Sequence, residues 1–110
     1  MFTVSNRGEI GLTRGDTAKM TVTITNDATE EPYEIQETDT LTLSVKKSVN
    51  DAAYAFQKRV TGSNVFHFEP QDTKDLAFGR YKYDVQLTTA AGEVYTVIPP
   101  TIFEVLQEVT

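Results

Sequence analysis

Cysteine and tryptophan are absent from this chain of 110 residues, and histidine occurs once. Without cysteine there is no disulfide framework, no thiol nucleophile and no thiolate-bound zinc. A single histidine leaves no second imidazole to share a metal ion, and a catalytic triad needs partners at a defined geometry. His67 lies between Phe66 and Phe68, and strand alternation predicts that it is an ordinary residue facing solvent.

Positive charge and long apolar runs are also scarce. Ten basic residues stand against sixteen acidic ones, which leaves a formal net charge of −6 at pH 7. A protein that binds phosphates needs a positive field, so we expect no nucleic-acid partner. No apolar run approaches the about 20 residues of a membrane helix, and we expect no membrane association. Residues 1–5 have neither the charged nor the apolar region of a signal peptide.

Catalytic motifs are missing as well. The chain contains no Gly-x-Ser-x-Gly elbow, P-loop, dinucleotide fingerprint or His-Glu-x-x-His sequence. Most aspartates stand at predicted turns, where the carboxylate bonds to local backbone, and Asp84 points outward from a predicted strand. The sequence therefore predicts a protein that is not an enzyme, with no catalytic, cofactor-binding or metal-ligating residue and no cofactor.

Two short segments have a binding interpretation and a structural one. Asn26, Asp27, Glu30 and Glu31 supply hard oxygen atoms in one loop, but their spacing is not that of an EF-hand, so solvated loop charge is expected. Arg14-Gly15-Asp16 spells the integrin-recognition tripeptide. It also suits a turn between two strands, since glycine accepts positive φ and aspartate bonds to the next amide, and we expect the turn.

Apolar and polar residues alternate through most of the chain, with turn signals about every 10 residues and no helical period. The clearest alternating segments are residues 17–25, 40–46, 53–60, 65–69, 81–88, 94–98 and 102–106. In residues 53–60 the inward face contains Tyr54, Phe56, Lys58 and Val60. Pro99-Pro100 should mark a kink where the last strand shifts its pairing. Asp72 or Thr73 should cap a single helical turn.

The most informative segment is Leu76-Ala77-Phe78-Gly79-Arg80-Tyr81, which leads directly into an alternating strand. A Leu-x-x-Gly-x-Tyr sequence before a central strand is typical of a tyrosine corner, whose phenol bonds back to upstream backbone. We therefore predict an all-β protein. Its expected fold is an immunoglobulin-like Greek-key sandwich of seven to eight antiparallel strands, in a single domain spanning residues 1–110. Leu76, Gly79 and Tyr81 form the predicted structural corner.

Several segments also occur together in a recognisable order. They are residues 12–18 (LTRGDTA), the strand with Leu41, Leu43 and Val45 followed by Lys46-Lys47, the block from Asp72 to Asp84, and the ending from Gly92 to Thr110. This order resembles the small immunoglobulin-like structural proteins of tailed phages and prophages of Gram-positive bacteria. It is similar in particular to the N-terminal domain of baseplate upper and fibre proteins, and the resemblance covers nearly the whole chain.

The resemblance implies a tail, baseplate or fibre-associated assembly role through protein–protein contacts. The partners would be other phage structural proteins or further copies of the chain, in the virion or in the bacterial cytoplasm during assembly. No catalytic residue carries over, because the family pattern contains none. Free strand edges should serve as docking surfaces, since unpaired amides and carbonyls accept another strand. The short terminal strands place these edges at Glu9, Gly11, Thr13, Ile102, Glu104 and Leu106.

A second hypothesis is a carbohydrate- or cell-surface-binding module. Many β-sandwiches bind ligands through loops and aromatic faces. This hypothesis predicts a concave aromatic or calcium-lined patch near Tyr33, Tyr54 or Tyr95.

Overall fold

A computed structural model describes residues 2–4, 8–26 and 31–107 of the chain. These residues form ten strands and one helical turn, so the prediction of an all-β protein is confirmed. The strands are β1 (Phe2–Val4), β2 (Ile10–Thr13), β3 (Ala18–Thr21), β4 (Thr25–Asn26), β5 (Glu31–Pro32), β6 (Thr40–Lys46), β7 (Phe56–Thr61), β8 (Val65–Phe68), β9 (Gly79–Thr88) and β10 (Val94–Leu106). The helical turn α1 spans Pro70–Thr73.

Six strands form one sheet in the order β1-β2-β10-β9-β6-β7, and two further pairs are β3–β8 and β4–β5. The arrangement differs from seven to eight antiparallel strands in two respects. More strands are present, and β2 runs parallel to the second half of β10, with Ile10 opposite Phe103 and Thr13 opposite Leu106. Most of the chain separates these two strands, and such a long connection permits the parallel direction that a hairpin forbids.

The core lies between the six-stranded sheet and the β3–β8 pair. Leu41, Leu43 and Val45 of β6 are fully buried, as their alternation predicts, and so are Phe66 and Phe68 of β8. Phe103 of β10 joins the two layers: its ring packs edge-on against Phe68, with centroids 5.7 Å apart. Similar contacts connect Phe103 to Phe56 at 5.6 Å and to Tyr83 at 6.1 Å.

The pairing of the last strand shifts at the proline pair, as expected, but the strand is not divided there into residues 94–98 and 102–106. β10 is continuous over 13 residues, but its pairing with β9 shifts between Thr96 and Ile98 and again between Ile98 and Thr101. Pro99 and Pro100 lie in the second shift. Proline has no N–H to donate, so the strand cannot keep a regular ladder through this pair.

Two local predictions are corrected. β7 begins at Phe56 rather than at residue 53, because the ladder with β6 starts where Phe56 faces Val45. Tyr54 therefore lies in the preceding loop with 51% of its surface exposed. The helical turn is capped by Glu69, whose backbone N–H donates to the Asp72 carboxylate at 2.8 Å. Asp72 is thus the third residue of the turn and not its cap.

Candidate functional site

The predicted corner residues lie together at one end of β9. The Tyr81 side chain is buried, and its hydroxyl donates to the Ala77 carbonyl oxygen at 2.8 Å. Gly79 has φ of +133°, a conformation that side-chain-bearing residues rarely adopt. Leu76 packs against the core. The Tyr81 hydroxyl thus bonds back to backbone four residues upstream, as the prediction for this segment requires.

The Arg14-Gly15-Asp16 turn is attached to this corner. The Gly15 N–H donates to the buried Thr73 hydroxyl oxygen at 2.9 Å, and Gly15 has φ of +82°. The Arg14 guanidinium lies 4.1 Å from the centre of the Phe78 ring and donates to the Leu76 carbonyl oxygen at 3.3 Å. The tripeptide thus supplies a turn whose arginine and glycine hold the helical turn and the corner in place.

The strands that were predicted to be free docking edges are instead paired on both sides. Residues Gly11 and Thr13 belong to β2, which lies between β1 and β10. Residues Ile102, Glu104 and Leu106 belong to β10, which lies between β2 and β9. Glu9 directly precedes β2. The two terminal segments pair with each other in the sheet, so their backbone groups do not offer a free ladder to another chain.

An end of the six-stranded sheet is formed by β7 instead. Lys58 points from this strand to the inward side and makes an ion pair with Asp72 of α1, with Nζ and Oδ2 2.7 Å apart. Inward-pointing charges on an edge strand discourage pairing with a second sheet. We therefore expect the lysine that interrupts the apolar face of this segment to protect the edge.

The outer face of the sheet contains a concave surface. We call it the outer-face cleft: it has a volume of about 220 Å³ and lies over β6 and β9. Its strand residues are Ser44, Lys46, Lys82, Tyr83, Asp84 and Gln86. Val49, Tyr54 and Pro100 complete its wall from the loop after β6 and from the kink in β10.

Charges in the outer-face cleft are arranged by the strand register. Lys46 lies directly opposite Lys82, and Ser44 lies opposite Asp84. The Lys46 ammonium is 4.9 Å from the centre of the Tyr54 ring, a cation–π contact. Burial raises the pKa of the Asp84 carboxyl, and the nearby charge of Lys46 opposes that rise. The cleft thus joins two cations, one partly desolvated carboxylate and one half-exposed aromatic ring.

Tyr33 and Tyr95 lie at the other end of β6. The Tyr33 hydroxyl donates to the carboxylate of Asp39, which is only 2% exposed and also accepts the Gln36 N–H at 2.9 Å. This hydrogen bond raises the pKa of Tyr33. The Tyr95 hydroxyl donates to Glu93 at 2.9 Å, and that bond raises the pKa of Tyr95. The three tyrosines do not share one patch, because the seven residues of β6 separate Tyr54 from the other two by about 20 Å.

Another tyrosine, Tyr83, connects the segment before β2 to the sheet by a hydrogen bond. Its hydroxyl donates to the Gly8 carbonyl oxygen, and burial raises its pKa to about 12. Tyr83 faces the core, as its alternation with Tyr81 predicts. The hydrogen bond places the segment before β2 next to the middle of β9, and no sequence pattern pointed to this pairing.

The remaining candidates are solvent-exposed or outside the described residues. His67 is exposed and lies opposite Lys19 of β3, as expected for an outward strand residue. Most of the proposed calcium loop, residues 27–30, lies outside the described part of the chain. Within the described ranges no group of three or more histidine, aspartate or glutamate side chains is placed to hold a metal ion.

Comparison of the chain with protein-family models, with curated proteins and with solved structures found no significant match. Among the residues that the structure describes, no helix has the length and apolar character needed to cross a membrane. We therefore infer a function from the geometry of the sheet, the corner and the outer-face cleft.

Proposed function

We propose that this chain is an immunoglobulin-like Greek-key domain. The strand order β10-β9-β6-β7 facing the pair β3–β8 supports this proposal, because it matches the G-F-C-C′ sheet and the B–E pair of that fold. The hydrogen bond from Tyr81 to Ala77 also supports it, since a tyrosine corner enters the F strand.

The function we propose is non-enzymatic assembly in a tailed phage or prophage, as a tail, baseplate or fibre-associated structural protein. Exposed apolar side chains on the outer face of the sheet support a contact surface there. There Val49 and Tyr54 are each about half exposed, at 54% and 51%, beside neutral hydrogen-bonding residues such as Ser44 and Gln86. Aromatic residues are enriched in protein interfaces.

Static light scattering over a wide concentration range tests self-assembly. We expect a defined oligomer, or growth into rings or tubes, and we expect Tyr54→Arg to abolish it. Tyr95→Arg is the matched control, because Tyr95 is equally exposed but lies at the other end of the sheet. A strict monomer at every concentration would contradict self-assembly and leave another structural protein as the partner.

Gene context tests the phage assignment separately. We expect genes for tail, capsid or portal proteins on both sides of the gene for this chain. A neighbourhood of metabolic or cell-wall genes would contradict the assignment without affecting the proposed contact surface.

A carbohydrate- or cell-surface-binding module is the second candidate, and the position of Tyr54 in a concave surface favours it. The outer-face cleft, at about 220 Å³, is however smaller than the roughly 300–1,000 Å³ of small-molecule sites. The Tyr54 ring also already contacts the Lys46 ammonium, which would compete with a stacked sugar. A glycan screen on the monomer is the direct test, and binding that Tyr54→Ala abolishes would establish this function instead.

A further inference from the structure

The outer-face cleft differs in charge from the rest of the molecule. The chain as a whole has a formal net charge of −6, but the charged side chains of the cleft are two lysines and one aspartate. A local positive surface on an acidic protein favours an anionic group over a cationic one. The charge of the cleft thus favours an anionic occupant.

The positions of the two lysines of the cleft destabilise the protein when no ligand is bound. Lys46 and Lys82 are direct cross-strand partners, and like charges in such positions are destabilising. Lys46 is compensated by the Tyr54 ring and by Asp84. Lys82 is exposed and has no hydrogen-bond or ion-pair partner among the described residues. An anion between the two lysine side chains would reduce this repulsion and give Lys82 an ion-pair partner.

The size and walls of the cleft narrow the occupant further. A volume of about 220 Å³ corresponds to about seven water molecules, which is room for one or two amino-acid side chains. Val49 and Pro100 add apolar surface to the walls. The negative charge of Asp84 balances one of the two lysines, so the other lysine is left to pair with one acidic group.

We propose that the outer-face cleft binds a single glutamate or aspartate side chain, flanked by an apolar side chain, from a segment of a partner protein. Lys82 and Lys46 would donate to its carboxylate, and Val49 and Pro100 would contact the apolar neighbour. The inference rests on the proposed function, since it names the chemistry by which the assembly surface recognises a partner.

The test is an NMR titration of ¹⁵N-labelled protein with the peptide acetyl-Leu-Glu-Leu-amide. We expect saturable shifts of the backbone amides around Lys46 and Lys82. The matched peptide acetyl-Leu-Gln-Leu-amide has the same shape without the charge and should bind about tenfold more weakly, as expected for a hydrogen bond to a charged group. Methyl glucuronide provides a carboxylate on a sugar and should not saturate.

Two protein variants complete the test. Lys82→Gln should weaken binding of the glutamate peptide about threefold, as expected for an exposed ion pair, whereas Lys19→Gln, at an exposed lysine on β3, should leave it unchanged. Equal binding of the glutamate and glutamine peptides, shifts away from the cleft, or tighter binding of the glucuronide would each overturn the proposal. An oligomer by light scattering without peptide binding would retain the assembly function and reject this cleft.

Discussion

Polar groups at the corner end of the sheet are hydrogen-bonded within the chain, whereas the charges of the outer-face cleft are only partly compensated. At the corner the Tyr81 hydroxyl, the Gly15 N–H and the Thr73 hydroxyl are each hydrogen-bonded within the chain. In the cleft Lys82 has no such partner among the described residues, and it faces a second lysine. Satisfied buried groups hold a fold together, whereas incompletely compensated charges on a surface leave interaction energy for a partner. Substitutions at the two places should therefore have different consequences.

The largest effect is expected for Gly79→Val at the corner. Valine is strained at φ of +133°, and the substitution should lower the free energy of unfolding by about 1–3 kcal/mol. A chemical denaturation curve measures this loss. Gly92→Val, at φ of +84° in the β9–β10 hairpin, separates strain alone from damage to the corner, and equal losses in both variants would mean that the corner adds nothing.

A smaller loss is expected for Tyr81→Phe. Removing the hydroxyl leaves the Ala77 carbonyl oxygen without its donor and should cost about 1 kcal/mol. The midpoint of urea denaturation measures the change. Tyr95→Phe, which removes an exposed hydroxyl, should leave the midpoint unchanged. An unchanged midpoint for Tyr81→Phe would show that the corner hydrogen bond does not contribute to stability.

Lys58→Val tests the protected edge more than the stability of the domain. The variant loses the ion pair with Asp72 and places an apolar, β-branched side chain on the edge strand β7. In a Tyr54→Arg background, which lacks the proposed assembly contact, we therefore expect association through β7 at high concentration. Light scattering detects it. Arg59→Val, on the exposed face of the same strand, is the control and should associate less. If the protein with both Tyr54→Arg and Lys58→Val stays monomeric, the lysine is not needed to protect the edge.

The smallest effect, and one of opposite sign, is expected for Asp84→Asn in the cleft. Because burial raises the pKa of Asp84 in the folded protein, its contribution to stability is present below its unfolded pKa of about 4 and is lost as pH rises through the folded value. The asparagine variant lacks this loss. Its stability relative to the parent should therefore increase over that pH interval and stay constant above it, as measured by urea denaturation at a series of pH values.

The alternation of apolar and polar residues predicted the buried faces well, because a strand that covers a core on one side must bury every second residue. It placed Leu41, Leu43 and Val45 correctly, and it identified the kink at Pro99-Pro100 from the missing N–H groups. It failed at Tyr54, since a residue in phase with a strand can still precede the point where the ladder begins. The predicted docking edges failed because strand order is not encoded in the pattern of a single strand.

The sequence by itself determined the all-β class, the inward faces and the residues of the corner, since these depend on local geometry and on the period of side chains along a strand. Tertiary structure decided the rest. The parallel pairing of β2 with β10 removed the expected edges, and the register of β6 against β9 set Lys46 opposite Lys82. Both depend on contacts between residues far apart in the chain, which are selected by the packing of the whole core rather than by any local pattern.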